Sequence, residues 1–316
     1  MGGGDRYAAG GDDRTLPGVS LELRAGDRVL TPGKRPLLMG VVNASPDSFS
    51  DSGHWSTLDE QVALARLLVA AGAEILDVGG ESGVTNRPPV APEVEIERVV
   101  PLIARIAAEL DVLVSVDTYK PSVAREAIIA GARMVNDVSG LRDLAVAEVC
   151  GRTGAALVIA HTRAEPKAKL LDPSWDGRVV QDAHAFLAER MALAEAQGVA
   201  RAQIVVDPGP DLGKTPEQTV EVLRELASFH ALGRPLLLAV SRKDFLGVIT
   251  GRRPAERGAG TLAAVSHGLE ARVHILRVHD IADVADFVAV RAVLHGETDL
   301  PPGARLAEEL RREPAR

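Results

Sequence analysis

Cys150 is the single cysteine in 316 residues. Neither an internal disulfide nor a Cys-rich zinc site can form, and the role left to it is that of a small buried hydrophobe. Aromatic residues are scarce too, 3% of the chain against 46% hydrophobic residues in all. The core must therefore be built from Ala, Val, Leu and Ile, which suits helices packed on a parallel sheet. No run approaches the ~20 apolar residues that a membrane helix needs. Positive charge is the minority sign: 36 Lys and Arg against 44 Asp and Glu give a net charge of −8. That argues against general nucleic-acid binding, which asks for a basic face. Residues 1–14 are rich in Gly and Asp and lack the apolar h-region of a signal peptide. Arg6 stands where a myristoylation signal wants Ser or Thr. A soluble, cytoplasmic protein is expected.

What is present is alternation. Short apolar runs at 37–43, 74–79, 113–117, 134–137, 156–161, 204–207, 236–241 and 275–279 read as strands. Helical patterns lie at 58–71, 93–110, 122–130, 144–152, 179–196, 216–226, 258–269 and 282–294. Gly72, Gly131, Gly198 and Gly233 fall just past helix ends, where a left-handed cap favours glycine. Eight β–α alternations predict a closed (β/α)8 TIM barrel over residues 36–295. A doubly wound open sheet is the other architecture such alternation allows. Residues 1–35 form an N-terminal extension. Its first 14 residues are expected to be disordered, and 19–31 read as a hairpin that plugs the barrel bottom. The charged tail, 296–316, is expected to fray.

Nearly every expected strand ends in a polar or charged group: Asn43, the stretch from Asp77 to Glu81, Asp117, Asn136 with Asp137, His161, Asp207, Ser241 with Arg242 and Lys243, and Arg277 with His279. Any one of these carboxylates alone could be a helix cap. Most of eight strands ending so is hard to explain by packing, and a parallel barrel builds its chemistry at that end. Asp117, Asn136 and Asp207 suit a flat nitrogen heterocycle with several N–H donors, which a carboxylate can grip with two hydrogen bonds. Lys243, Arg277 and His279 suit phosphate oxygens. Asn43 is a neutral oxygen ligand, suited to Mg2+ shared with a pyrophosphate.

Three other motifs fail on spacing. Gly209-Pro-Asp-Leu-Gly213-Lys214-Thr215 is one residue short of a P-loop. Gly79-Gly80-Glu81-Ser82-Gly83 does not have the spacing of a dinucleotide fingerprint. His161, His184, His230 and His267 show no metal-ligand spacing. The last three fall in helices and read as surface or packing residues.

Seven segments, in order, carry a resemblance: Met39 through Asn43-Ala-Ser-Pro-Asp-Ser-Phe-Ser-Asp51, Asp77-Val-Gly-Gly-Glu-Ser82, Ser115-Val-Asp117-Thr, Asn136-Asp-Val-Ser-Gly140, Asp207-Pro-Gly209, Ser241-Arg-Lys243 and Arg277-Val-His279-Asp280. Over residues 36–294 the chain resembles the dihydropteroate synthase family. The resemblance implies a barrel transferase of folate biosynthesis that joins 7,8-dihydropterin pyrophosphate to p-aminobenzoate and releases pyrophosphate, in the form of a homodimer. It implies that Asp117, Asn136, Asp207 and Lys243 hold the pterin. Asn43, Arg277 and His279 would hold the pyrophosphate, with Mg2+ on Asn43. Phe49 and Asp51 would close over the site, Asp51 steadying a developing cation, and Arg242 would join the substrate-binding set.

The departures from the family pattern gather around the second substrate. Gly83-Val84-Thr85-Asn86 replaces the family's Thr-Arg-Pro-Gly, so the loop Arg has no match unless Arg87 stands in for it. Asp211-Leu212-Gly213-Lys214 replaces Gly-Phe-Gly-Lys and loses an aromatic wall; Asp244 replaces a Ser that helps bind a carboxylate, and Ala160-His161 replaces Met-His. Weak sulfonamide binding is therefore expected. A related pterin enzyme with a different amine, and a non-catalytic pterin-binding protein, stand as alternatives.

Overall fold

The computed structural model describes residues 21–33, 35–44, 57–82, 88–168, 173–175, 177–307 and 310–311. Phe49, Asp51, Arg87, the departure at 83–86, residues 1–14 and positions 308–309 and 312–316 of the tail lie outside them.

The chain enters through a hairpin, β1 (Leu23–Ala25) and β2 (Arg28–Leu30), paired antiparallel around a turn in which Gly26 takes φ +64°. Eight parallel strands follow: β3 (Leu37–Asn43), β4 (Ile75–Gly79), β5 (Leu113–Asp117), β6 (Met134–Asp137), β7 (Ala156–Ala160), β8 (Ile204–Asp207), β9 (Leu237–Ala239) and β10 (Ile275–Val278). Their order is β8-β7-β6-β5-β4-β3-β10-β9, and a bridge from Val206 to Leu236 joins the two ends. The sheet is therefore a closed barrel rather than a doubly wound open sheet.

Two apolar layers hold it. Because side chains alternate along a strand, Met39, Ile75, Leu113, Met134, Val205, Leu237 and Ile275 fall on the inner face. Leu23 and Ala25 of the hairpin, both fully buried, pack against that inner cluster. The intervening strand residues face outward, where Val42, Leu76, Val78, Val114, Val116, Leu238 and Leu276 meet the helices. Cys150 is buried in this outer layer, where burial pushes its thiol up, as expected of an inert core cysteine.

The helices are α1 (Leu58–Ala70), α2 (Pro92–Glu109), α3 (Pro121–Ala130), α4 (Ala145–Thr153), α5 (Val179–Ala196), α6 (Pro216–Arg224), α7 (Asp244–Thr250), α8 (Gly258–Glu270) and α9 (Ile281–Leu294). Local chemistry starts two of them. Thr57 and Glu60 exchange side-chain and backbone bonds at α1, and Thr215 and Gln218 do the same at α6. The seven-residue α7 was not expected. It carries the β-like run Phe-Leu-Gly-Val-Ile-Thr and no local side-chain cap, so the sequence gives no signal for it.

Candidate active site

Strand register brings the polar residues together at the barrel's C-terminal mouth. Asp77 lies two residues beyond Ile75, so it continues the inner face of β4 upward from the apolar layer. Register pairs Asp77 with Ser115, and Asp117 with Asn136. Arg277 continues the inner face of β10 from Ile275. The result is one connected network. Asp77, with no exposed surface, accepts from Ser115 Oγ at 2.6 Å, Asn136 Nδ2 at 2.9 Å and Arg277 Nε at 2.7 Å. A second Arg277 nitrogen donates to Asp117 Oδ2 at 2.8 Å. Burial raises the Asp117 carboxyl to about 7; Arg277 opposes that shift and the Asp77 charge adds to it.

The far wall comes from β8 and the segment after β9. Asp207 is buried and accepts from Gly209 N at 2.7 Å, and burial raises its carboxyl. The half-buried Lys243 donates to Pro210 O at 2.7 Å. Burial lowers its ammonium, while the Asp211 and Asp207 carboxylates pull it back up. Gly209 cannot be replaced: its φ is +66° and a Cβ would meet the His161 carbonyl oxygen at 2.1 Å. Lys214 is buried under this loop, its Nζ donating to the carbonyls of His161, Gly209 and Leu212. Burial presses its ammonium down to about 7, against three acceptors that match its three N–H groups.

Other expected residues stand at the same end. His279 Nδ1 lies 3.0 Å from Ser241 Oγ. Asn43 ends β3 with an exposed side chain, its Oδ1 passing over Gly79. Arg242 is set apart. It occupies φ +60° and forks onto Asp280 at 2.8 and 3.2 Å.

Three features were not anticipated from sequence. Asp77 stands in the strand-end set without an assigned role; it sits inside β4, and its place at the centre of the network shows only once β5, β6 and β10 lie beside it. Asp211, at φ +60°, reaches from the β8 loop to α7 and accepts from Asp244 N at 2.6 Å and Phe245 N at 3.3 Å. It is the cap that α7 lacks locally. Asp244 carries its own cation: Arg257 lies 3.1 Å from its 77%-exposed carboxylate and also donates to the carbonyls of Arg242 and Lys243. The three helical histidines prove to be packing residues. His184 stacks on Phe229, His230 bonds Ala271 O and His267 bonds Leu223 O.

Comparison with known proteins agrees with this arrangement. Residues 39–279 match the family described as pterin binding enzyme. Dihydropteroate synthase of Escherichia coli strain K12 is 36% identical over 255 residues, 81% of this chain and 90% of that protein. The Bacillus subtilis synthase is 39% identical over 253 residues, 80% and 86% of the two chains. Xanthomonas albilineans dihydropteroate synthase, solved with 4-aminobenzoic acid, superposes with a TM-score of 0.81 at 37% identity, covering 88% of this chain and 99% of that one. This chain belongs to the dihydropteroate synthase family. Within a dihydropteroate synthase barrel, two unfamiliar residues meet at the start of α7: Asp244, directly after Lys243 in sequence, and Asp211, which reaches there from the β8 loop.

Proposed function

We propose that this chain is a dihydropteroate synthase, condensing 7,8-dihydropterin pyrophosphate with p-aminobenzoate to give dihydropteroate and pyrophosphate in folate biosynthesis. The observation that carries this reading is the network Asp77–Asn136–Arg277–Asp117 in one mouth with Asp207 and Lys243.

In this reading Asp117, Asn136, Asp207 and Lys243 grip the pterin. Its ring N–H donors face carboxylates, and its carbonyl faces the ammonium. Asp77 and Asp117 keep Arg277 stretched across the mouth, where its positive charge draws the diphosphate, with the His279 ring offering a further ring N–H. The C–O bond to diphosphate breaks as charge develops on the departing oxygens, which Arg277 and His279 stabilise. The electron-rich pterin shares the positive charge left on the methylene, which Asp51 would steady. The arylamine nitrogen then forms the new C–N bond and loses its proton. Asn43 offers a hard neutral oxygen and would hold Mg2+ together with diphosphate and water oxygens, the kind of set this ion takes. Mg2+ bound there would neutralise part of the diphosphate charge. Phe49 would complete the substrate-binding set, and Arg242, forked onto Asp280, would join it only from the edge of the mouth. A cytoplasmic homodimer fits the reading, with exposed Val248 and Ile249 on α7 and Val290 and Leu294 on α9 available to a second copy.

The test is diphosphate release from the pterin substrate with Mg2+, with and without p-aminobenzoate. Turnover should need the amine and vanish in Lys243→Ala and Asp117→Ala. Absence of product at saturating substrates counts decisively against the reading. Asp211 and Asp244 favour one variant of it, in which the amine carries no carboxylate. A faster reaction with a neutral aniline than with p-aminobenzoate marks that case.

A further inference from the structure

Beside the catalytic centre, on the outer edge of the same C-terminal face, the segments leaving β6 and β7 turn toward α5 and enclose a cleft of about 200 Å3, lined by Ser139, Arg142, Thr162, Arg163, Phe186 and Arg190. We propose that this cleft is a second anion site, separate from the catalytic one, that takes a phosphate-class oxyanion. Three of its six lining residues are arginines. The guanidinium carbons of Arg163 and Arg190 each stand 4.9 Å from the Phe186 ring, which fixes both heads against one rigid surface.

The internal partners do not balance this charge. Arg163 forks onto Asp182 at 2.7 and 3.1 Å, and that carboxylate also takes His161 Nε2 at 2.9 Å. Asp182 thus offsets one guanidinium of the three. Arg142 donates one nitrogen to the Arg163 carbonyl at 2.8 Å. Arg190 has only a long 3.4 Å bond to Leu141 O, and its Nε is buried without a partner. Asp137 takes Ser139 N and Oγ on one oxygen and keeps its other oxygen buried without a partner, Asp143 caps Ala145 N, and Glu189 acts on Arg163 through its charge alone.

A buried donor left unpaired costs ~1–3 kcal/mol, and like charges gathered round a cleft add to that. An oxyanion relieves both, because guanidinium forks match its oxygens. The buried Thr162 and Ser139 side chains add hydroxyls to the wall. The cleft holds roughly six or seven waters at ~30 Å3 each. That suits phosphate or diphosphate and excludes a second pterin, since the Phe186 face is 3% exposed and offers no stacking surface. An occupant bridges the segments that follow Asn136 and His161.

The experiment is equilibrium dialysis of labelled inorganic phosphate against the full chain, with inorganic diphosphate in a parallel arm. The proteins are the wild type, Arg142→Ala, Arg142→Ala/Arg190→Ala and Arg277→Ala. The wild type should hold two phosphates per chain. The double variant should lose one of them, at least tenfold in affinity, while keeping turnover, and Arg277→Ala should lose the other. Arg142 is exposed, so its single variant keeps the fold and should weaken the same site. Stronger retention of diphosphate than phosphate at the site left in Arg277→Ala identifies released product as the source, and the reverse identifies free phosphate. One phosphate per wild-type chain, or two in the double variant, overturns the proposal. Neither result bears on the synthase reading, which turnover reports separately.

Discussion

Arg277 and Asp77, 200 positions apart in sequence, meet at 2.7 Å across the barrel mouth. Asp77 has no exposed surface and Arg277 is 20% exposed. A carboxylate that deep is tolerable only because Ser115, Asn136 and Arg277 all donate to it. The pair also sets where the Arg277 charge points, so a residue with no role of its own in the chemistry fixes the position of one that has.

Asp77→Ala should therefore lower stability by ~2–4 kcal/mol, because it leaves the buried Ser115 and Asn136 donors without their acceptor and Arg277 with Asp117 alone. Asp77→Asn, which keeps an acceptor for Ser115, should cost less. Urea unfolding of the two variants measures the difference. A loss under ~1 kcal/mol in Asp77→Ala would show that the network adds little and that Arg277 finds another partner.

Pterin affinity should depend on pH. The Asp117 carboxyl, raised to about 7 by burial, is largely protonated below neutrality. The pterin N–H donors need it ionised. Binding should weaken as pH falls from 8 to 6, approaching tenfold per unit at the acid end, and each binding event should release a proton. Calorimetry in buffers of differing ionisation enthalpy reads that proton. No release, and a flat affinity, would mean that Arg277 already holds Asp117 ionised.

Acid should unfold the protein through His161. The ring is fully buried between Trp175 and Phe186, and burial lowers it from 6.5 to about 4. In the unfolded chain it takes a proton below about 6.5; in the folded one it resists until about 4. Stability is thus fully present above pH 6.5 and falls as pH drops toward 4, by on the order of 3 kcal/mol for this group. His274, lowered to about 4 by burial, acts in the same sense. His161→Gln, which keeps a donor for Asp182, should flatten the fall in unfolding free energy between pH 6.5 and 4.5. An unchanged slope assigns the acid sensitivity elsewhere.

The barrel was legible because each of its cues is local. Apolar runs, helix periods and capping glycines each lie within a few residues, and β3, β5, β6 and β8 begin and end where their runs do. Gly72, Gly131, Gly198 and Gly233 all take positive φ. The strand-end residues Asp117, Asn136, Asp207 and Arg277 were legible for the same reason. The role of Asp77 was not, although the residue stands in the strand-end set, because its partners come from β5, β6 and β10. Helix α7 was hidden by the same kind of distance, since the side chain that starts it is Asp211, 33 residues away.

That cap bears on the second substrate. Asp211 and Asp244 place two carboxylates beside Lys243, one held by the backbone of α7 and one by Arg257. Two like charges at ~4 Å repel by ~1 kcal/mol in water, so an approaching p-aminobenzoate carboxylate meets a disfavoured end of the pocket. Asp211→Gly removes one charge at a position whose φ of +60° suits glycine. The substitution also removes the Asp211 side-chain cap on α7, at ~1 kcal/mol of stability. The KM for p-aminobenzoate should fall about fivefold, the free-energy equivalent of that repulsion, while any rise in the KM for the pterin substrate should be smaller, because Asp207 still holds the Lys243 ammonium up. An equal fall in KM for an aniline without a carboxylate would place the effect in the loop's shape rather than its charge. A rise in KM would show that Asp211 serves α7 alone and that the carboxylate binds elsewhere.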